Sequence, residues 1–386
     1  MPWTLASGDT TVFRYQGRVT PPKDYGAWAT LIRKLAQHWI GRYGADEVRG
    51  WFFEVWNEPN LTAFWTGSQD EYFKLYRYSI EALKGVDPFL QVGGPATAKN
   101  QWIDELVGFC DKNRLPLDFV STHQYPTDVV EGTSFGKEDD PTENHLAQSR
   151  RGIMRDWAEE VRRLAGCRPV YYTEWNSSSN PRDHLHDEPY AAAFATKTIM
   201  EASGIVDGYS FWTFTDIFAE NYFLSVPFHG GFGLLNLQGI AKPTYRAFEI
   251  LHHLGTEQLT VTGNHATVDA WTVRDGHRLT ILLTNHALPG ARIETEQVQV
   301  HLENASRPLT AIVERIDEDH ANAKKLWREM GAPTYPTAAE VERLNRASEL
   351  VKEPQSWKRD AKAMLLDIEL PPHGVAAVTV EFAQAD

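Results

Sequence analysis

The sequence predicts an α/β fold in which a parallel sheet is followed by an antiparallel β-sandwich. Up to about residue 255, short apolar runs alternate with helical patterns, as expected of βα units. From about residue 257 the hydrophobic period changes to two, which is typical of antiparallel strands with one buried face. We therefore expect a barrel-type portion over residues 1–255 and a β-sandwich over residues 256–386.

The first portion contains five predicted strands, near residues 51, 90, 118, 169 and 207. Asp24 is the predicted N-cap of the first helix, and Ser68 with Glu71 forms a capping-box pattern for the second. Further helices are expected at about 99–113, 153–164, 188–202 and 245–254. A closed (β/α)8 barrel needs eight strands, so five strands account for only part of one.

Two of these strands end in a glutamate beside an asparagine. Residues 51–60 read WFFEVWNEPN and place Glu58 after an aromatic run that the proline terminates. Residues 169–176 read PVYYTEWN and place Glu174 in the same way. The carboxyl ends of parallel barrel strands form the active face, where paired carboxylates are typical of glycoside hydrolysis. Glu54 lies four residues deeper and is expected inside the barrel rather than as a third catalytic acid.

Composition favours a carbohydrate-binding protein over a nucleic-acid-binding one. The 13 Trp and 14 Tyr residues offer flat faces for sugar rings, and the net charge of -14 argues against a nucleic-acid partner. The chain has no apolar leader and no run of 18 apolar residues, which predicts a cytoplasmic protein without a membrane partner. Cys110 and Cys167 are predicted to be reduced, buried thiols.

The motifs FEVWNEPN and YYTEWN, with STHQYP at residues 121–126 and FWTFTD at residues 211–216, resemble glycoside hydrolase family 39. This is the family of β-xylosidases and α-L-iduronidases, and the resemblance runs from about residue 13 to 247. It implies a TIM-type barrel with Glu58 as the general acid/base on the fourth strand and Glu174 as the nucleophile on the seventh. The five predicted strands would then be the fourth to eighth, so the barrel is expected to be N-terminally incomplete, lacking its first three βα units.

The resemblance also implies a set of substrate-binding residues. These are Asn57, Phe64, His123, Tyr125, Trp212 and Glu220. Asn57 would hydrogen-bond the 2-hydroxyl of the sugar, while His123 and Tyr125 would bond sugar hydroxyls and orient the nucleophile. Trp212 would form a sugar platform next to a non-proline cis peptide, and Phe64 a subsite wall. In the loop at residues 216–220 an alanine replaces the first of the two acids of the family, which leaves Glu220 as the hydroxyl binder.

Three further segments receive structural interpretations. The glycine-rich residues 229–233 follow no strand with a nucleotide-binding pattern and are predicted to be a tight loop lining the site. A charged helical insert is expected near residues 321–352, with no chemistry in it. A solvated loop is expected, rather than a metal site, where four ligand-type residues cluster without a known ligand spacing. They are His184, His186, Asp187 and Glu188.

The resulting hypothesis is a retaining exo-glycosidase that hydrolyses terminal β-D-xylosides of xylo-oligosaccharides by double displacement. No cofactor and no metal are expected. The expected partner is a xylo-oligosaccharide or another small glycoside, and homo-oligomerisation is left open. The alternatives are an α-L-iduronidase-like or α-L-arabinosidase activity, and an inactive truncated sugar-binding remnant. Iduronate would call for a cation to meet its carboxylate, and the site loops suggest none, so xylose is preferred.

Overall fold

A computed structural model describes residues 1–130, 142–218, 225–360 and 363–383 of the chain. A parallel α/β part comes first and two antiparallel sheets follow it. The strands of the first part are β1 (Thr11–Val12), β2 (Gly17–Arg18), β3 (Phe52–Glu54), β4 (Gln91–Thr97), β5 (Phe119–Gln124), β6 (Val170–Trp175) and β7 (Gly208–Phe211). Its helices are α1 (Tyr25–Tyr43), α2 (Ala45–Arg49), α3 (Gln69–Lys84), α4 (Ile103–Asn113), α5 (Thr142–Ala147), α6 (Ile153–Ala165), α7 (Pro189–Ala202) and α8 (Pro243–His252). Short 3₁₀ helices cover Ala98–Asn100, Pro126–Val129 and His184–Asp187.

The two predicted helix starts are confirmed. The Asp24 carboxylate accepts hydrogen bonds from the Gly26 and Ala27 amides at the start of α1. At the start of α3, the Ser68 hydroxyl accepts from the Glu71 amide while the Glu71 carboxylate accepts from the Ser68 amide. The five-residue helix α2 was not predicted, because so short a segment shows no hydrophobic period.

Strands β3 to β7 form one parallel sheet in chain order, so their carboxyl ends share one edge. Helices α3, α4 and α6 pack against it around a core that includes Tyr72, Leu106 and Val161, all fully buried. β3 and β7 are the outer strands of this half-barrel among the described residues.

The second part consists of two antiparallel sheets. Its strands are β8 (Glu257–Leu259), β9 (Val268–Asp275), β10 (Arg278–Asn285), β11 (Glu296–Leu302), β12 (Pro308–Ile316), β13 (Glu353–Pro354), β14 (Lys358–Asp360), β15 (Ala363–Leu370) and β16 (Val375–Phe382). One sheet has the order β13-β12-β16-β10-β9-β8 and the other β11-β15-β14. The two sheets share one apolar cluster, to which Ile281 and Val378 contribute from the first sheet and Ile368 from the second.

The predicted hairpin and the predicted helical insert are both confirmed. β9 and β10 pair in register around Gly276, with Asp275 opposite Arg278. The insert between β12 and β13 contains α9 (Ala323–Glu329) and α10 (Ala338–Ala347).

One detail of the sequence interpretation is wrong. Cys110 is buried in α4, whereas Cys167 is exposed because it lies just beyond the end of α6. Among the described residues, none of the helices has the length and apolarity that crossing a lipid bilayer demands.

Candidate active site

The turn after β3 presents Glu58 at the carboxyl edge of the sheet. Trp56 and Glu58 adopt φ angles of +70° and +44°, in the left-handed region that non-glycine residues rarely occupy. The turn is held against the end of β4 and the 3₁₀ helix that follows it, because the Glu58 amide donates to the Ala96 carbonyl at 2.8 Å and the Asn60 side chain donates to the Ala98 carbonyl at 2.9 Å. Strained backbone of this kind persists where the surroundings enforce it, as is common at active sites.

Glu58 and Glu174 converge at this edge around His123. One carboxylate oxygen of each glutamate and a His123 ring nitrogen lie within 4.8 Å of one another. His123 Nδ1 is 3.0 Å from Glu58 Oε1 and 3.5 Å from Glu174 Oε2. The Tyr125 hydroxyl donates to Glu174 Oε1 at 2.5 Å. The structure therefore brings together four of the residues singled out in the sequence.

The electrostatics of the group follow from its burial, since Glu58 is only 4% exposed. Burial raises the pKa of Glu174 to about 7, and the neighbouring Glu58 carboxylate adds to this, while His123 and the Tyr125 hydroxyl oppose it. Burial by itself lowers the pKa of an imidazole, but the Glu174 and Glu58 carboxylates outweigh it and raise the pKa of His123 to about 9. The two neighbouring carboxyl groups thus favour the charged form of His123.

Two further carboxylates border the group. The Thr173 hydroxyl donates to Glu54 Oε2 at 2.7 Å, which ties Glu54 of β3 to β6, a strand that is not its neighbour in the sheet. Asp128 is half-buried and accepts from the Tyr125 amide at 2.8 Å and from the Gln124 side chain at 2.9 Å. Burial raises the pKa of Asp128 to about 7. Asp128 holds the backbone of Tyr125 in place, and it was not predicted because it lies in a polar segment with no recognisable motif.

Trp212 lies at the end of β7, next to the strand that carries Glu174. The peptide bond between Trp212 and Thr213 is cis, as the family resemblance implied. The Trp212 amide donates to the Trp175 carbonyl at 2.9 Å, and the Asn176 side chain donates to the Trp212 carbonyl at 2.5 Å. The Trp212 ring meets the edge of Phe218 at a centroid distance of 5.3 Å.

The remaining candidates lie further out. Asn57 is exposed, beside Glu58 in the strained turn. Phe64 is half-buried, and its ring lies 5.6 Å from that of Phe13. Glu220 lies outside the described residues.

Two groups of ligand-type residues bear on metal binding. Glu58, His123 and Glu174 offer nitrogen and oxygen atoms close enough to hold an ion, and His123 Nδ1 already lies 3.0 Å from Glu58 and 3.5 Å from Glu174. The predicted solvated loop at residues 184–188 is wrong for its central residues. His186 and Asp187 are buried, because Asp187 pairs with the buried amine of Lys242 at 2.6 Å.

Comparison with known proteins agrees with this geometry. Residues 1–363 match the model of the glycosyl hydrolases family 39. A β-xylosidase from Caldicellulosiruptor saccharolyticus is 48% identical over 99% of this chain and 78% of its own length. One from Geobacillus stearothermophilus is 37% identical over 99% of this chain and 75% of its own length.

A solved structure supports the same assignment. The crystal structure of a monomeric β-xylosidase from Caulobacter crescentus superposes with a TM-score of 0.84 at 30% identity, covering 98% of this chain and 79% of that one. The matches extend over the half-barrel, the converging carboxylates and the antiparallel sheets. The chain therefore belongs to glycosyl hydrolases family 39 and is a glycoside hydrolase acting on O-glycosyl bonds.

Proposed function

We propose that this chain is a retaining β-xylosidase in which Glu58 is the general acid/base and Glu174 the nucleophile. The observation that carries the assignment is the approach of their carboxylate oxygens to within 4.8 Å. Retaining glycosidases place the two carboxyl groups about 5–5.5 Å apart, whereas inverting enzymes leave about 6.5–9.5 Å for a water molecule. The 4.8 Å limit joins one oxygen of each carboxylate rather than the two carboxyl groups, and it is compatible with the shorter, retaining separation.

The proposed reaction has two steps. In the first, a Glu174 oxygen bonds to the anomeric carbon as the glycosidic C–O bond breaks, and Glu58 gives its proton to the leaving oxygen. In the second, water bonds to the anomeric carbon as the Glu174 ester breaks, and Glu58 takes the proton from that water. The Tyr125 hydroxyl donates to Glu174, and His123 Nδ1 lies 3.5 Å from its other oxygen, and both contacts favour the ionised nucleophile.

The preference for terminal β-D-xylosides is supported by the two β-xylosidases that match nearly the whole chain. It is also supported by Lys242, whose amine lies behind the Trp212 segment and is committed to two aspartates. That cation is not presented to the carboxylate of a uronic acid. Trp212 would stack on the sugar, and Asn57, Phe64 and Glu220 would complete the subsite.

The decisive experiment is hydrolysis of 4-nitrophenyl β-D-xyloside by the parent, Glu174→Gln, Glu58→Gln and Glu54→Gln. We expect Glu174→Gln to lose more than about 10³-fold in kcat/KM, since no covalent intermediate can form. Glu58→Gln should lose about 10²–10⁴-fold, the usual contribution of a general acid. Glu54→Gln is the matched control and should lose less than tenfold.

Proton NMR of the first product gives the stereochemistry, and β-xylose is expected. Initial release of α-xylose, or more than a tenth of parental activity in Glu174→Gln, would refute the assignment. A faster reaction with an aryl α-L-iduronide or α-L-arabinoside would replace the proposed sugar while leaving the carboxylate roles intact. A folded parent that cleaves none of these glycosides would favour the inactive remnant.

A further inference from the structure

Lys242 is a fully buried cation that lies between two fully buried carboxylates. Its Nζ atom is 2.6 Å from Asp187 Oδ1, 2.8 Å from Asp216 Oδ2 and 2.8 Å from the Gly231 carbonyl. Burial lowers the pKa of an amine, but the two aspartates outweigh it and raise the pKa of Lys242, so the side chain stays charged. The ammonium group donates to Asp216 Oδ1 at 3.0 Å and to the Gly231 carbonyl, and it forms ion pairs with both aspartates.

The two aspartates belong to different segments at the carboxyl edge of the sheet. Asp187 ends the segment that follows the Glu174 strand, and Asp216 lies four residues beyond Trp212. Lys242 precedes α8 and joins the two. The cluster of Lys242, Asp187 and Asp216 therefore ties the loop after β6 to the loop after β7.

The glycine-rich residues 229–233 fit around this cluster. The Gly230 amide donates to Asp187 Oδ2 at 2.7 Å, and the Gly233 amide donates to Asp216 Oδ1 at 2.8 Å. A Cβ atom on Gly231 would lie 2.4 Å from Asp216 Oδ1, so a side chain there would displace the carboxylate. The predicted tight loop thus exists because its backbone packs directly on the two aspartates.

The same segment supports the backbone around Trp212. The Thr213 amide donates to the Phe232 carbonyl at 3.1 Å, and the Leu234 amide donates back to the Thr213 carbonyl at 3.0 Å. The Asn176 side chain reaches both the Trp212 and the Phe232 carbonyl. A short, continuous set of hydrogen bonds therefore connects Lys242 with the position of Trp212.

The helical insert covers this cluster from outside. Lys324 of α9 lies 2.7 Å from Glu188 and donates to the His184 carbonyl at 3.0 Å. Trp327 of the same helix packs on Phe228 at a ring distance of 5.5 Å. The insert thus shields the ion pairs from water, where their attraction would be weaker.

We propose that Lys242 is a positioning residue for substrate binding, which holds Trp212 and residues 213–218 in place through Asp216 and Asp187. A buried ion cluster stabilises a fold little compared with well-packed apolar side chains, so a specific arrangement of the two loops is a better reason for it. This inference rests on the proposed β-xylosidase function only where it is tested by the KM for a xyloside.

The test compares Lys242→Met with Lys197→Met. Lys197 is also almost fully buried and paired with two carboxylates, Glu201 and Asp269, but it faces the antiparallel sheets. Both variants remove a buried cation that two carboxylates share, so both should lose stability, although Asp269 keeps its pair with Arg151 and Asp187 keeps Lys324 at 3.9 Å. Only Lys242→Met should raise the KM for 4-nitrophenyl β-D-xyloside by about tenfold or more with a smaller fall in kcat, because a platform contacts bound substrate and transition state alike.

Hydrogen exchange provides a readout that does not need turnover. In Lys242→Met we expect faster exchange than in the parent at the amides of Thr213, Asp216, Gly233 and Leu234. In Lys197→Met the exchange rates of these amides should equal those of the parent. Equal exchange in both variants, or a KM that does not respond to Lys242→Met, would overturn the proposal. If the parent cleaves no xyloside, the proposed function fails and the exchange comparison alone decides the role of Lys242.

Asp216→Asn keeps the inference testable if Lys242→Met does not fold. It leaves Lys242 balanced by Asp187, so folding is expected, but it weakens the link to residues 213–218. We expect KM to rise and the same amides to exchange faster than in the parent, but both effects should be smaller than in Lys242→Met. If Asp216→Asn folds but shows the same amide exchange rates and the same KM as the parent, the proposal is wrong.

Discussion

His123 shows how a single side chain can define the electrostatics of a site. Its ring nitrogen lies within 3.5 Å of both candidate catalytic carboxylates, so the imidazolium offsets their mutual repulsion. The sequence predicted that His123 would lie at a strand end near the nucleophile. It did not predict the closer contact with Glu58, because these residues are 65 positions apart and only the sheet brings them together.

Tyr125→Phe should shift the acid limb of the kcat/KM profile to higher pH. The Tyr125 hydroxyl donates to Glu174 and favours its ionised form, so its removal raises the pKa of Glu174 above about 7. An ionised nucleophile is needed for attack, and the loss of activity should therefore be larger at pH 6 than at pH 8. The measurement is kcat/KM for 4-nitrophenyl β-D-xyloside across this range.

Tyr209→Phe is the matched control for this substitution. Tyr209 is a half-buried tyrosine of β7 that stacks on Tyr172, and its buried hydroxyl has no hydrogen-bond partner among the described residues. Its profile should coincide with that of the parent. A Tyr125→Phe profile that falls by the same factor at every pH would show that the hydroxyl contacts substrate without tuning Glu174.

At the scale of elements, helix starts were predictable and close backbone contacts were not. Asp24 and Ser68 each satisfy amides within three residues, so the sequence carries the whole signal. The glycines of residues 229–233 carry an equally strict requirement, but their partners lie in other loops. The sequence thus identified a tight loop there without showing what it packs against.

Gly233→Ala and Gly108→Ala should have opposite effects on stability. A Cβ atom on Gly233 would lie 2.3 Å from the Asp216 amide nitrogen, which would push apart the loops behind Trp212. We expect a lower unfolding temperature and at least a tenfold loss of kcat/KM. Gly108 is exposed within α4 and has open space, so alanine there should stabilise the protein by about 0.5–1 kcal/mol. Thermal unfolding and xyloside hydrolysis test both, and an active, stable Gly233→Ala would contradict the close contact.

At the scale of the whole molecule, the two parts are joined by buried polar groups. The Arg151 guanidinium donates to the His286 carbonyl at 2.7 Å and pairs with Asp269. Tyr190 of α7 packs between His286 and His373, with ring distances of 5.0 and 5.1 Å. Burial lowers the pKa of His286 well below its usual value and that of His373 to about 4. Both imidazoles are therefore neutral in the folded protein.

His373→Asn should make the protein more resistant to acid. Because the pKa of His373 is lower when folded than when unfolded, its contribution to stability is complete above about pH 6.5 and is lost as the pH falls towards 4. His373 has a φ angle of +57°, which asparagine tolerates well. The unfolding temperature of the variant should fall less between pH 7 and pH 4.5 than that of the parent.

His277→Asn is the control, since His277 is exposed in the turn between β9 and β10. Its unfolding temperature should change with pH in the same way as that of the parent. If the unfolding temperature of His373→Asn also depends on pH as that of the parent does, titration of His373 does not limit the acid stability of the protein.

The sequence by itself determined the features that depend on near neighbours. The helix caps, the strand periods, the hairpin around Gly276 and the glutamates at two strand ends each rest on residues a few positions apart. The motifs around Glu58 and Glu174 were also enough to indicate the family. Two statements from the sequence stay predictions. They are the absence of the first three βα units and the cytoplasmic location.

The tertiary structure alone decided which of these features meet. It placed carboxylate oxygens of Glu58 and Glu174 within 4.8 Å, buried Lys242 between two aspartates and set His286 against His373. Each of these arrangements joins segments that no local pattern connects. Charges and imidazoles are stable inside a protein only when their partners surround them, and those partners are assembled by the packing of strands and loops distant in sequence.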